Sequence, residues 1–139
     1  MQTAEKANVP ISIFFDDSFP RENVLDVTAA AESWNTVSGL AVFAKPGDAP
    51  SGDLVTFFCD DTQLGAYALA TSKYGDGIVS VYVREDATGR FSVLKHELGH
   101  CLRLPHSENE SSVMFPIDRG QQLVAKDEVK KILLWYSKV

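Results

Sequence analysis

The sequence predicts one α+β domain of short strands and three helices. Three observations predict it. Short apolar runs near residues 9–17, 40–44, 53–59 and 78–83 are separated by turns rich in Gly, Pro or Asp. Three longer stretches repeat apolar residues at three- and four-residue steps, the spacing of one helix face. A chain of 139 residues with 45% hydrophobic residues is long enough to bury one sizeable core. The pattern covers residues 9–139 as a single domain and leaves residues 1–8 as a polar N-terminal segment.

Each element has its own signal. In residues 9–17, Ile11, Ile13 and Phe15 alternate onto one face, a first strand. Asp16 to Pro20 breaks it, and Pro20 suits a helix start. A helix over about residues 20–37 aligns Val24, Val27, Ala31 and Trp34, with propensity from Ala29 to Ala31, and Gly39 ends it. Residues 40–44 form a second strand and residues 45–52 a turn. Residues 53–59 are apolar nearly throughout, as a central strand covered on both faces would be. Tyr74 to Gly77 form a turn. In residues 78–83, Val79, Val81 and Val83 share one face while Ile78, Ser80 and Tyr82 share the other.

A second helix follows, with Thr88 as its expected N-cap and Phe91, Leu94, Leu98 and Cys101 as its core stripe. Residues 107–112 are a polar loop and residues 117–124 a connection. The third helix, about residues 125–138, aligns Val129, Ile132, Leu133 and Tyr136.

Composition narrows the function classes. Thirteen basic against nineteen acidic residues give a net charge of −6. That argues against nucleic acid or an anionic membrane surface as a partner, because both require basic patches. No apolar run approaches the roughly 20 residues of a membrane span. Residues 1–6 do not read as a signal peptide, which leaves a cytoplasmic protein or a mature domain behind an added Met. Cys59 and Cys101 allow one internal disulfide or two free buried thiols, and the second reading is preferred.

The chemistry is concentrated in residues 96–106, which hold all three His residues of the chain. His96 and His100 stand at i and i+4 on a helix, so their imidazoles can share one metal ion. Glu97 stands where a general base would meet a metal-activated water. His106 is the available third ligand. Cys101 is turned about 100° away from its neighbour His100, which favours a buried thiol over a ligand.

The run HELGHCLRLPHS resembles the extended zinc signature of metzincin metalloproteases, and Ser107 after the third His resembles the matrixin branch. The run SSVMFP at residues 111–116 is similar to the matrixin Met-turn, with Met114 as a hydrophobic floor beneath the metal. The resemblance extends over most of the domain, from Ile11 to Tyr136, but only these two motifs are specific. It implies a zincin-like α+β fold: a twisted mixed sheet of about five strands with three helices, the zinc helix bordering a cleft. It implies one catalytic zinc ion on His96, His100 and His106, and hydrolysis of peptide bonds by an activated water with Glu97 as general base.

Residues 63–71 resemble the family's edge strand, which borders the cleft and pairs with extended substrate, and this assigns Leu64, Gly65, Ala66 and Tyr67 to substrate binding. Phe115, Pro116 and Ile117 would wall the specificity pocket. A monomeric, secreted protein acting on peptides or proteins is the expected context. Calcium occurs in many matrixins; the acidic turns at Asp60, Asp61 and Asp76 admit it without indicating it.

One position departs from the family. Arg103 stands where the signature has Gly, at the turn that swings the third His back to the metal. A left-handed conformation there costs a non-Gly residue about 1–2 kcal/mol. The expectation is a preserved turn with Arg103 at positive φ, or a slightly rerouted loop. Three other readings compete with a catalytic zinc held by the three histidines. They are a metal-binding but catalytically silent peptide-binding module, a site with Glu128 as third ligand, and a structural zinc closed by Cys59 or Cys101.

Overall fold

The computed structural model describes residues 6–65 and 68–137. Among the described residues there are four strands: β1 (Ser12–Phe15), β2 (Leu54–Cys59), β3 (Ala70–Gly75) and β4 (Ile78–Val83). The helices are α1 (Val24–Ser38), α2 (Phe91–Cys101) and α3 (Lys126–Tyr136). The sheet order is β1-β2-β4-β3. β1, β2 and β4 run parallel, and β3 pairs antiparallel with β4 at one edge. The α+β class and mixed sheet are as expected, with four strands where five were anticipated.

Strand alternation sets the layers. Val55 and Phe57 of β2, with Val79, Val81 and Val83 of β4, are buried and join one cluster with Val27, Trp34, Leu94 and Leu98 from α1 and α2. The opposite face is only partly covered. Phe58 and Tyr82 stack there at 5.0 Å, and Ile78 is exposed. β2 is therefore central by pairing, yet it is fully covered on one face only. Among the described residues, no helix is long and apolar enough to cross a membrane.

Residues 40–44 do not form a ladder strand. A single bridge joins Phe43 to Ile11, with Ile11 N–H donating to the Val42 carbonyl at 2.8 Å. On the side away from Ile11, the Asn35 side chain takes the backbone groups of Phe43. Its amide accepts from Phe43 N–H at 3.0 Å and donates to the Phe43 carbonyl at 2.9 Å. A helix side chain thus satisfies the groups that a neighbouring strand would have taken.

The edge strand lies further along the chain than residues 63–71. Asp76 (φ 44°) and Gly77 (φ 79°) make a two-residue hairpin turn, which requires positive φ at both positions. That turn pairs Gly75 with Ile78, and the ladder runs back to Ala70 opposite Val83. Beyond Val83 the two strands share one more backbone bond, from Arg84 N–H to the Leu69 carbonyl at 2.8 Å, before the partner strand ends in a tight turn at Glu85–Ala87. Leu64 instead follows a short helical turn at Asp61–Gln63, and Gly65 is exposed after it. Ala66 and Tyr67 lie outside the described residues.

Two helix details also differ. Thr88 does not cap α2; its hydroxyl donates to the Glu85 carbonyl at 3.1 Å and closes the preceding turn, so the helix begins at Phe91. In α3 the buried face is Glu128, Ile132 and Tyr136, whereas Leu133 is exposed.

Candidate metal centre and cleft

α2 presents two faces. Leu94, Leu98 and Cys101 are fully buried in the core, while His96 and His100 lie half-buried along a cleft. Their Nε2 atoms stand 3.1 Å apart. Each Nδ1–H donates to a backbone carbonyl: His96 to Val113 at 2.7 Å, and His100 to Leu104 at 2.9 Å. A carbonyl can only accept, so both rings carry their proton on Nδ1 and aim an Nε2 lone pair at the other. Two facing lone pairs repel unless a cation lies between them. Nitrogens bound to one tetrahedral zinc at about 2.0–2.1 Å would be about 3.3 Å apart, close to this spacing.

The third imidazole arrives through the end of α2. Arg103 N–H donates to the His100 carbonyl at 2.8 Å, and Leu104 N–H donates to the Gly99 carbonyl at 3.1 Å. This pair of bonds is the Schellman helix ending, which places its C′ residue in the left-handed region. Arg103 occupies it at φ 69°, as the first of the two expected geometries requires. Pro105 follows, and the exposed His106 ring turns back to lie 4.9 Å from His100 and 5.3 Å from His96 between centroids. Candidate ligand nitrogens of the three residues all lie within 4.8 Å of one another. No other such group of three metal-ligating side chains occurs among the described residues.

The electrostatics fit a cation. Burial lowers the pKa of both imidazoles: His96 below its usual range and His100 to about 4, with the neighbouring histidines adding to the shift. Neutral imidazole is the ligand form. Burial also pushes Glu97 up to about 7, against the opposing hydrogen bond from Ser72. Ser72 Oγ donates to Glu97 Oε1 at 2.8 Å from β3 across the cleft. The Cys101 thiol is pushed up by burial, so it stays protonated inside the core, and both cysteines are free.

Met114 is fully buried, with its sulfur against Gly99 of α2. Ser112 organises this turn. Its hydroxyl accepts from Met114 N–H at 2.9 Å and donates to Glu128 Oε2 at 2.6 Å, while Glu128 Oε1 accepts from Ala125 N–H at 2.8 Å. Glu128 is thereby committed to the start of α3 and to Ser112, which removes it as a third metal ligand. Ser112→Ala should lower stability by about 1–3 kcal/mol, because Glu128 and Met114 N–H lose a buried partner. A fall in urea midpoint at constant slope checks this.

A cavity of about 730 Å³ runs along the trio. Phe115, Pro116 and Ile117 line it, as do residues 68–72, with Glu97 at its base. Leu64 and Gly65 do not line it; Ala68 to Ser72 take the position they were expected to hold. Asp118 also faces the cavity. Burial alone would raise its carboxyl, but hydrogen bonds from Ser92, Arg90 and the Gly120 N–H outweigh burial and hold it below the usual range. Arg90 pairs with it directly, so its charge is compensated. Ser72, Asp118 and the carbonyls of Val113 and Leu104 have no local signal in the sequence, since chain folding alone brings them to the histidines.

Comparison with known proteins agrees with this geometry. A protein of Trichoplusia ni ascovirus 2c, named "Putative matrix metalloproteinase", is 33% identical over 54 residues. That match covers 39% of this chain and 11% of the viral protein, so the chain spans only a small part of that relative. The family model described as matrixin matches residues 19–137, from the start of the first helix to the end of the last. With the converging histidines and the mixed sheet behind them, the match shows that this chain belongs to the matrixin family.

Proposed function

We propose that this domain is a zinc-dependent endopeptidase. The observation that carries the reading is the placement of the Glu97 carboxylate and three convergent histidines on one cleft. Zinc, when bound, supplies a Lewis acid for the scissile carbonyl and lowers the pKa of water. His96, His100 and His106 would hold it, their Nε2 or remaining ring nitrogens being the free donors. Glu97 takes a proton from the attacking water at its carboxylate and returns it to the leaving amine nitrogen. Ser72 holds Oε1 of that carboxylate and leaves the other oxygen for the proton. The raised pKa of Glu97 suits a group that must both accept and donate near neutral pH.

Substrate binds as an added strand along the free edge of β3, beside the cavity-lining residues 68–72. Phe115, Pro116 and Ile117 then receive the side chain that follows the cleaved bond. The position two residues after Met114 is Pro116, so no tyrosine there assists the oxyanion. Cleavage of casein should stop when a chelator strips the metal and return when zinc is added back. Cleavage that a chelator leaves unchanged would overturn the reading. Stoichiometric zinc binding without cleavage of any peptide library would favour the silent peptide-binding module instead.

A further inference from the structure

Arg103 occupies a position where glycine would carry no backbone strain, and its side chain makes contacts that glycine could not. One guanidinium nitrogen, Nη1, donates to the Cys101 carbonyl at 2.8 Å, at the last turn of α2. The other, Nη2, reaches Asp53 Oδ2 at 3.3 Å. Asp53 is 4% exposed and immediately precedes β2, so Arg103 is the ion-pair partner of a buried carboxylate. The guanidinium carbon also lies 4.5 Å from the centre of the Tyr74 ring on β3. Tyr74 in turn donates its hydroxyl to the His100 carbonyl at 2.6 Å.

These contacts converge on the ligand-bearing turn. A cation at a helix C-terminus is favoured by the helix dipole, and Arg103 supplies one at the carbonyl end of α2. The left-handed turn at Arg103 brings the Leu104 carbonyl onto His100 Nδ1, the contact that fixes the tautomer of that ring. The same turn sends the chain on to His106. Arg103 therefore ties the end of α2 to β2 and to the edge strand, at the point where the chain passes from the second histidine to the third.

We propose that Arg103 is a positioning residue of the metal site: clamped between Asp53 and Tyr74, it holds the turn that presents His100 and His106. The proposal rests on reading the trio as a metal site. A simple glycine replacement, tolerated at a cost in strain, predicts the opposite sign of effect for Arg103→Gly. Relief of the left-handed strain would leave zinc binding equal or tighter and raise the melting temperature. The clamp predicts looser binding despite the relieved backbone.

The experiment measures zinc affinity by competition with a chromophoric chelator, well below the melting temperature of the metal-free protein. Visible spectra of cobalt(II)-loaded samples are recorded beside it. Arg103→Gly is expected to bind zinc at least tenfold more weakly and to alter the cobalt spectrum, the scale seen when outer groups that orient ligands are removed. Arg103→Lys, which keeps a cation for Asp53, should recover part of that loss. Asp53→Asn leaves the backbone at residue 103 unaltered and should weaken zinc binding in the same direction. The double variant Arg103→Gly/Asp53→Asn should be no weaker than the weaker single variant, since both break one clamp.

Parent-like zinc affinity and an unchanged cobalt spectrum in Arg103→Gly would overturn the proposal. If that variant does not fold, parent-like affinity in both Asp53→Asn and Arg103→Lys would overturn it. Failure of the parent protein to bind zinc would instead overturn the metal-site reading beneath it, which keeps the two failures distinct.

Discussion

Glu97→Gln is expected to reduce peptide hydrolysis by about 10²–10⁴-fold, the usual contribution of a positioned general base, while leaving zinc bound. The amide keeps the shape of the carboxylate and can still accept from Ser72 through its oxygen, so the cleft wall stays in place. What it loses is the ability to take a proton. Single-turnover cleavage together with metal analysis of the same sample checks both halves. Parent-like turnover would remove Glu97 from the mechanism.

The same substitution should change stability with a definite pH dependence. Burial raises the folded pKa of Glu97 from 4.5 to about 7, against the Ser72 hydrogen bond that favours the charged form. An acid whose pKa is raised on folding destabilises the folded state as it ionises. The penalty is absent below the unfolded pKa, grows as pH rises through the window from about 4.5 to about 7, and is constant above it. Metal-free Glu97→Gln should therefore match the parent at pH 4 and exceed it in melting temperature at pH 8. A gap that narrows with rising pH would contradict this. The higher melting temperature of the variant at pH 8 would place Glu97 among the groups retained at some cost to the fold.

The extent to which this site could be read from the sequence follows the range of each interaction. His96, Glu97 and His100 lie within one helical turn or so, where periodicity alone fixes which side chains are neighbours. The turn to His106 depended on family resemblance, because the sequence has Arg103 where the signature has Gly, yet the positive φ was expected from that same comparison. Ser72 contacts Glu97 from 25 residues away and Asp53 meets Arg103 across 50, distances over which no local pattern operates. The edge strand illustrates the same limit. Residues 63–71 resemble the family's edge strand, but strand extent is decided by the partner, and beyond Val83 the following residues offer one further bond, from Arg84 N–H to the Leu69 carbonyl, before the chain turns away. Residues 40–44 keep only a single bridge to Ile11, and on their other side the Asn35 side chain takes the backbone groups of Phe43 in place of a further strand.

Gly99→Ala should unsettle both the fold and the metal site, although Ala is the better helix former by about 1 kcal/mol. A Cβ at residue 99 would lie 2.4 Å from the Met114 sulfur and 2.9 Å from Trp34 Cζ2. Neither neighbour has free space, since both are fully buried. Trp34 is further held by its Nε1–H, which donates to the Lys95 carbonyl at 2.9 Å. Met114 is the more flexible of the two, but it follows Val113, whose carbonyl holds His96 Nδ1–H at 2.7 Å. Moving the methionine therefore disturbs the ring that carries one of the candidate ligand atoms. Overpacking of this kind costs about 1–3 kcal/mol, which exceeds the gain in helix propensity at the upper end that so close a contact demands. The expected result is a lower melting temperature together with about tenfold weaker zinc binding, the scale of losing a group that orients a ligand. Gly75→Ala is the matching control, because a Cβ there meets nothing within 4 Å. If Gly99→Ala instead melts higher than the parent, helix propensity has won, and the close packing of Met114 against α2 does not constrain the metal-binding turn.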